Sequence, residues 1–233
     1  ADKDNVEHFA WQTSWGVSWR LIGAMIMAHG DDKGLVLPPK VAPMQIVIVP
    51  IYRNEEGKNS VLPKVEEIQN KLESKDIRIH VDDREGLSPG YKFNDWELKG
   101  VPLRIEIGPK DIENQKIVVA KRYNLEKIDL SFEEIEKIPI ILDEIQVEML
   151  KKAKDQARNN TLEIADYSEF KDKIENGGFF NSPWCGKLEC EDKIKEETGA
   201  EIRVIPFNSE DNTKECIYCK EPSTSIPIFA RGY

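Results

Sequence analysis

Four cysteines in two close pairs constrain the fold of this chain more than any other feature. They are Cys185 and Cys190 in the stretch CGKLEC, and Cys216 and Cys219 in CIYC. Two such pairs separated by about 25 residues are typical of four thiolates that converge on one tetrahedral zinc ion. Two disulfides are the alternative, but disulfides belong to oxidising compartments and nothing here indicates secretion. Because sulfur would take every ligand position, such a zinc would be structural rather than catalytic.

Length and charge limit the classes of function. A chain of 233 residues predicts one or two domains, each large enough for its own core. A net charge of -10 argues against binding of nucleic acid by bulk electrostatics, so any RNA contact is expected to be local. No apolar run reaches the roughly 20 residues of a transmembrane helix. The acidic start of the chain lacks the regions of a signal peptide, and we expect a cytoplasmic location without membrane contact.

The middle of the chain alternates between strand-like and helix-like patterns. A strand-like run at 43–52 is followed by a helix with apolar residues at Val65, Ile68 and Leu72, and then by a second strand at 77–81, which makes a βαβ unit. A polar, turn-rich stretch covers 82–100. Two more strands are expected at 101–108 and 116–123, and a helix from Ser131 to about Asn160. The pattern predicts a small mixed α/β domain, a helical connector and the cysteine-bearing tail.

The opening segment reads unlike the start of a domain. TSWGVSWR leads into an apolar, helix-like run and then into HGDDKGLVLPPKVAP. Taken alone, Arg20 before that run is best explained by an ion pair at a helix start, and Trp15 by core packing. The sequence contains no P-loop, no G-x-S-x-G elbow and no H-E-x-x-H helix.

Three stretches together resemble the prolyl-tRNA synthetase family of class II aminoacyl-tRNA synthetases, in its archaeal and eukaryotic-like form. The opening segment resembles the last signature motif, DDREGLSPGYKFNDWELKGVPLRIEIGPKD the anticodon-binding domain, and CGKLEC…CIYC…FARGY the C-terminal zinc-binding domain. The resemblance implies an α/β protein in three parts. These are the end of an antiparallel-sheet catalytic core at 1–42, an anticodon-binding domain with a mixed sheet at 43–150, and a small α/β zinc-binding domain at 151–233.

The resemblance also implies roles for the opening segment. Arg20 matches the position of a catalytic arginine that binds the γ-phosphate of ATP, a task that suits the planar, permanently charged guanidinium. Ser18 matches a position whose hydroxyl faces ATP, with Mg²⁺ as the counter-ion of the nucleotide. Trp15 and Gly16 match the wall of the proline pocket.

Guanine recognition can be argued partly from chemistry. Proline codons begin with two cytosines, so the matching anticodons end in two guanines, which Arg binds at O6 and N7 and a carboxylate binds at N1 and N2. Glu97 and Arg104 match the family positions that contact these guanines, and Lys110 and Asp111 match neighbouring anticodon contacts. Without the resemblance, a surface ion pair between Glu97 and Arg104 explains them equally well. The surrounding stretch has as many basic as acidic side chains, which favours base contacts over phosphate contacts.

The implied function is that of a proline–tRNA ligase with L-proline, ATP and tRNA(Pro) as substrates, acting as a homodimer through the catalytic domain. The upstream catalytic motifs of the family are not in this sequence, so the chain by itself is expected not to catalyse the reaction. A non-catalytic, synthetase-like protein that binds tRNA is the alternative. The resemblance further implies that Tyr233 folds back towards the active site.

Overall fold

The computed structural model describes residues 1–10, 12–211 and 213–232, and the prediction for Tyr233 lies outside them. The chain forms two compact units, 1–149 and 150–233. Within the described ranges, no helix combines the length and the apolar character that a membrane span requires.

The first unit contains a helix, α1 (Arg20–His29), followed by a mixed α/β arrangement. Its strands are β1 (Ile46–Pro50), β2 (Ile79–Val81), β3 (Leu103–Ile107), β4 (Lys116–Lys121) and β5 (Lys127–Ser131). Its helices are α2 (Glu55–Glu73), α3 (Pro89–Leu98), α4 (Pro109–Glu113) and α5 (Ile138–Asn159), the last of which continues past the boundary between the units.

One five-stranded sheet organises this unit, with the strand order β2-β1-β3-β4-β5. β1 pairs in parallel with β2 and β3, whereas β4 and β5 continue the sheet in antiparallel fashion. Alternate residues of a strand point to opposite faces. Ile46, Ile48 and Ile105 therefore join the main core with α2 and α5, and Val47 and Val49 face the other side with Trp96 of α3.

Helix α2 explains how the main core closes. Asn54 caps its N-terminus by accepting a hydrogen bond from the backbone N–H of Gly57 at 2.9 Å. Its buried residues recur every three or four positions, so they form a single stripe that faces the sheet. They are Gly57, Val61, Val65, Ile68 and Leu72. The predicted strand–helix–strand unit is present, although the helix begins earlier than its apolar pattern indicated.

Several elements differ from the expectation. The stretch read as turns contains α3, which starts where Ser88 accepts a hydrogen bond from the N–H of Tyr91 and Pro89 takes the first helical position. Strand β5, which pairs with β4 along Lys127–Ser131, and the short helix α4 were not predicted. The helix predicted from Ser131 begins only at Ile138.

The second unit has a four-stranded mixed sheet and an aromatic core. Its strands are β6 (Thr161–Glu163), β7 (Phe179–Asn181), β8 (Ala200–Val204) and β9 (Ile228–Arg231), in the order β6-β7-β9-β8, and its own helices are α6 (Tyr167–Ile174) and α7 (Leu188–Thr198). The ring of Phe170 packs edge-on against Phe180 and Phe229, with centroids 5.6 and 5.7 Å apart. The predicted α/β fold class is confirmed, and the sheets of both units are mixed.

Candidate functional site

The four cysteine sulfurs lie together in the second unit, all within 4.8 Å of one another. The Sγ atoms of Cys185 and Cys190 are 3.5 Å apart. Cys190 lies in the first turn of α7, and three of the four cysteines are buried. In a tetrahedral site with Zn–S bonds of about 2.3 Å, neighbouring sulfurs are about 3.8 Å apart. The spacing and the all-sulfur donor set therefore fit one zinc ion.

Backbone amides surround the sulfurs and affect their ionisation. Burial raises the pKa of the Cys185 and Cys190 thiols. Burial acts the same way on Cys216, but hydrogen bonds from the backbone N–H groups of Cys219 and Tyr218 outweigh it and lower the pKa of that thiol. Such N–H···S bonds stabilise a thiolate, which is the form that binds metal.

A carboxylate ties the two cysteine-bearing segments together without a metal. Glu197 of α7 accepts hydrogen bonds from the hydroxyl of Tyr218, in the turn between Cys216 and Cys219, at 3.2 Å and from the hydroxyl of Tyr167 at 3.1 Å. Lys171 adds an ion pair to Glu197 at 2.9 Å. Burial and the neighbouring Glu197 raise the pKa of Tyr167, so its hydroxyl stays a donor. These contacts orient the CIYC turn towards α7.

The first unit brings Glu97 and Arg104 together. Nη1 of Arg104 donates to Oε1 of Glu97 at 2.9 Å and approaches the backbone oxygen of Phe93 at 3.4 Å. The guanidinium also lies over the Phe93 ring, 4.2 Å from its centroid. The Arg104 side chain is only 8% exposed and that of Glu97 is 21% exposed, so the pair is more buried than a surface ion pair.

Two residues that the sequence reasoning missed complete this cluster. Glu106 accepts from Nε and Nη2 of Arg104 at 3.0 and 2.9 Å, and Lys127 donates to Glu106 from β5. Glu106 lies two positions after Arg104 on β3 and therefore on the same face of the sheet. That spacing was a usable signal for Glu106, whereas the contact with Lys127 depended on the unpredicted strand β5.

A cavity of about 200 Å³ opens beside the Glu97–Arg104 pair. This volume is below the roughly 300–1,000 Å³ of clefts for drug-sized ligands and suits a single planar base. Its charged lining residues are Lys33, Glu97, Arg104, Lys121, Arg122 and Lys127. Four of the five cations pair with carboxylates of the described residues, so the cavity is close to neutral despite its lysines and arginines.

Trp96 and Phe93 take different positions around the cluster. Trp96 is buried, and its Nε1 donates to Oδ2 of Asp82 at 2.7 Å, so it belongs to the core. Phe93 is partly buried beneath Arg104. Trp96 is therefore a packing residue, whereas Phe93 lies at the Glu97–Arg104 pair.

Lys110 and Asp111 lie beyond the other end of β3 from Arg104, in the short helix α4. Oδ2 of Asp111 accepts from the backbone N–H of Gly108 at 2.8 Å, and Lys110 is exposed. The four residues assigned to anticodon contacts thus occupy two places, one near each end of β3, and do not form one cluster.

The residues assigned to ATP and proline are exposed. Trp15 is 94% exposed, and a Cβ at Gly16 would meet no atom within 4 Å. The Ser18 hydroxyl accepts from the backbone N–H of Arg20 at 3.4 Å, at the start of α1. No carboxylate of the described residues forms an ion pair with the Arg20 guanidinium.

Comparison with known proteins agrees with both units. The family described as "Anticodon binding domain" matches residues 45–140, and the family described as "Prolyl-tRNA synthetase, C-terminal" matches residues 167–233. Together these matches cover the five-stranded sheet and all four cysteines.

Whole relatives and a solved structure agree as well. The proline–tRNA ligase of Cenarchaeum symbiosum is 52% identical over all of this chain and 49% of its own length, and that of Acetoanaerobium sticklandii is 49% identical over 95% of this chain and 46% of its own. The chain spans about half the length of these relatives. The crystal structure of a prolyl-tRNA synthetase from Cryptosporidium parvum with L-proline and AMP superposes with a TM-score of 0.84 at 37% identity, over 92% of this chain and 46% of that one. The chain therefore belongs to the prolyl-tRNA synthetase family.

Proposed function

We propose that this chain is part of a proline–tRNA ligase. The enzyme activates L-proline with ATP, which gives prolyl-adenylate and pyrophosphate, and then transfers the prolyl group to the terminal ribose hydroxyl of tRNA(Pro). Family membership supports the reaction. The observation that carries the role of this chain is the Glu97–Arg104 pair, 2.9 Å apart beside a cavity of about 200 Å³.

The chemistry of guanine fits this pair. Guanine presents hydrogen-bond donors at N1 and N2 and acceptors at O6 and N7. Glu97 supplies the acceptor and Arg104 the donors. In the free chain Nη1 of Arg104 pairs with Glu97, while Nε and Nη2 pair with Glu106. An incoming guanine replaces that ion pair with two sets of charge-assisted hydrogen bonds, so neither charge is left without a partner. Lys110 and Asp111, in α4 beyond the end of β3, contact a neighbouring part of the anticodon.

The charge balance favours base contacts over phosphate contacts. Lys121, Lys127 and Arg122 are paired with Glu126, Glu106 and Asp31. Few counterions are then released on binding, and the affinity depends weakly on salt concentration.

The opening segment contributes to the chemical steps. Arg20 binds the γ-phosphate of ATP with Mg²⁺ as counter-ion, the Ser18 hydroxyl faces the nucleotide, and Trp15 and Gly16 line the proline pocket. Adenylate formation needs alignment of the proline carboxylate with the α-phosphate and stabilisation of charge, which a guanidinium provides without acting as a nucleophile. The enzyme acts in the cytoplasm as a homodimer through its catalytic domain.

Zinc has a structural role in this proposal. The ion would be held by Cys185, Cys190, Cys216 and Cys219, which would leave no position open for water or substrate. Its chemistry would be to link α7 to the CIYC turn.

Binding of RNA stem-loops tests the anticodon assignment. The chain is titrated with a stem-loop that carries the anticodon UGG and with one that carries UCC, at one moderate salt concentration. We expect a clear preference for UGG. Arg104→Ala is expected to weaken the binding of UGG by about 1–3 kcal/mol, the contribution of a good bidentate base contact.

Lys137→Ala is the matched control, because Lys137 is an exposed cation whose partner, Glu134, lies outside the cluster. Equal affinity for the two stem-loops, or an Arg104 variant that binds like the Lys137 variant, contradicts the assignment of guanine recognition to this chain.

A further inference from the structure

The side chain of Arg122 connects two segments that the sequence separates widely. Its Nη1 and Nη2 donate to the two carboxylate oxygens of Asp31 at 2.8 and 2.6 Å, and its Nε donates to the backbone oxygen of Glu97 at 2.9 Å. The Arg122 side chain is 2% exposed. All three nitrogens of the guanidinium therefore donate hydrogen bonds within the protein.

The contact at Glu97 lies at the end of a helix. Carbonyl groups in the last turn of a helix lack intrahelical partners, and a cation there also interacts favourably with the helix dipole. The backbone oxygen of Glu97 receives the N–H of Gly100 at 3.0 Å in addition to Nε of Arg122. These two bonds fix the end of α3 from which the Glu97 side chain reaches towards Arg104.

The segment that supplies Asp31 also packs directly on the end of α3. The backbone N–H groups of Leu35 and Leu37 donate to the oxygens of Leu98 and Gly100 at 3.0 and 3.2 Å. The same segment brings Lys33 to the wall of the cavity.

We propose that Arg122 and Asp31 are positioning residues for guanine recognition: Asp31 holds the guanidinium of Arg122, and Arg122 holds the backbone of Glu97 so that its carboxylate meets the base. The inference rests on the proposed role of Glu97. It adds that the segment directly after α1, which belongs to the last active-site motif by resemblance, forms part of the support of the anticodon site. The geometry of Glu97 then depends on Asp31, a residue that does not line the cavity, because supporting contacts restrict where a binding side chain can lie.

The test measures base preference, which a general loss of stability does not change selectively. Stem-loops are made with the anticodon UGG and with each of its two guanines replaced in turn by adenine. For each replacement, the affinity for UGG is divided by the affinity for the replaced stem-loop, which gives one ratio per guanine. Glu97→Gln identifies the guanine that Glu97 contacts, because the ratio for that guanine falls in this variant. We expect Asp31→Asn and Arg122→Lys to lower that same ratio by about fivefold to tenfold, the lower range for one base contact, and to leave the other ratio unchanged.

Asp32→Asn is the matched control, since it removes the same charge from the neighbouring residue, which forms no ion pair with the described residues. Its two ratios are expected to equal those of the unmodified chain. Thermal unfolding is followed in parallel, and if Arg122→Lys fails to fold, the Asp31 variant decides.

The outcomes separate the inference from the function on which it rests. If Glu97→Gln changes neither ratio, the proposed role of Glu97 is wrong. If Glu97→Gln lowers one ratio while Asp31→Asn behaves like Asp32→Asn, the positioning role is overturned and the guanine contact stands. A fall of both ratios together in Asp31→Asn also overturns it, because that result indicates a general structural effect.

Discussion

The two compact units reach stability in different ways. The first has a large aliphatic core built from α2, α5 and the five-stranded sheet, and this core contains none of the four cysteines. The second unit is smaller, and its core is an aromatic cluster around Phe170 that extends to the cysteines. Small units bury a smaller fraction of their surface and commonly need a metal or a disulfide to fold stably. In the proposed function, the Glu97–Arg104 site of the first unit recognises RNA, whereas the cysteine cluster stabilises the fold of the second unit.

Loss of zinc is expected to have the largest effect and to fall on one unit. Cys216→Ser removes one of the four proposed zinc ligands, a buried one, so a bound ion should no longer stabilise the folded state. A free zinc concentration about a thousandfold above the dissociation constant stabilises the native form by about 4 kcal/mol. We expect the free energy of unfolding of the second unit to fall by about that amount. Hydrogen exchange resolved by peptide, together with metal analysis, measures it.

The comparison between the units supplies the control for this experiment. Peptides of β1, β3 and β4 in the first unit should keep their protection, and a chelator should reproduce the effect of the substitution. Equal loss of protection in both units, or full protection of the second unit without metal, contradicts the prediction that zinc stabilises the second unit only.

A cavity in the aliphatic core is expected to have the next largest effect. Ile105 is fully buried at the centre of β3, and Ile105→Ala removes packing contacts that the surrounding sheet cannot replace. We expect the free energy of unfolding of the first unit to fall by about 3 kcal/mol in urea titration.

Ile140→Ala is the matched control, because Ile140 in α5 is 58% exposed. Its effect is expected to stay within about 0.5 kcal/mol. If the two substitutions destabilise the unit equally, packing around β3 is not the main source of stability of the first unit.

Acid is expected to produce the smallest effect, and again in the first unit. The hydrogen bonds from Arg122 lower the pKa of Asp31 to about 2, below its ordinary value of 3.8. A carboxyl group with a lowered pKa in the folded state stabilises it above about pH 4, and this stabilisation is lost as the pH falls towards 2. Since the Asp31 side chain is 41% exposed, solvent screening reduces the contribution to about 1 kcal/mol.

Denaturant titrations at pH 5 and pH 3 measure this contribution. Asp31→Asn should be less stable than the unmodified chain at pH 5 and lose less stability on acidification, whereas Asp32→Asn should follow the unmodified chain. Parallel pH profiles for all three proteins are incompatible with the lowered pKa of Asp31.

The sequence predicted the elements whose pattern is local. β1 is a continuous apolar run and α2 has a regular stripe of buried residues, so each carries its own signal. Helix α3 was missed because its sequence is polar and rich in turn formers, and only Phe93 and Trp96 mark its packing face. The Ser88–Pro89 pair was the available sign of its start.

The site was predictable to the same extent. The resemblance assigned Glu97 and Arg104, and their seven-residue spacing allowed the ion pair that the structure contains. Asp31 and Arg122 lie 91 residues apart, and no periodicity of a single sequence relates residues at that distance. The contact exists because the sheet brings β4 beside the end of α3, which is a property of the tertiary fold.

Two glycines determine where a molecule of this kind can be divided and recombined. A Cβ on Gly34 would lie 2.6 Å from the backbone of Leu98, and one on Gly100 would lie 2.6 Å from the backbone of Leu35. The two main chains interlock without space for a side chain, so segment 31–37 and the end of α3 must be exchanged as a pair. A chimeric enzyme or a shortened chain that keeps this sheet should therefore be joined before Asp31, although the first strand begins only at Ile46.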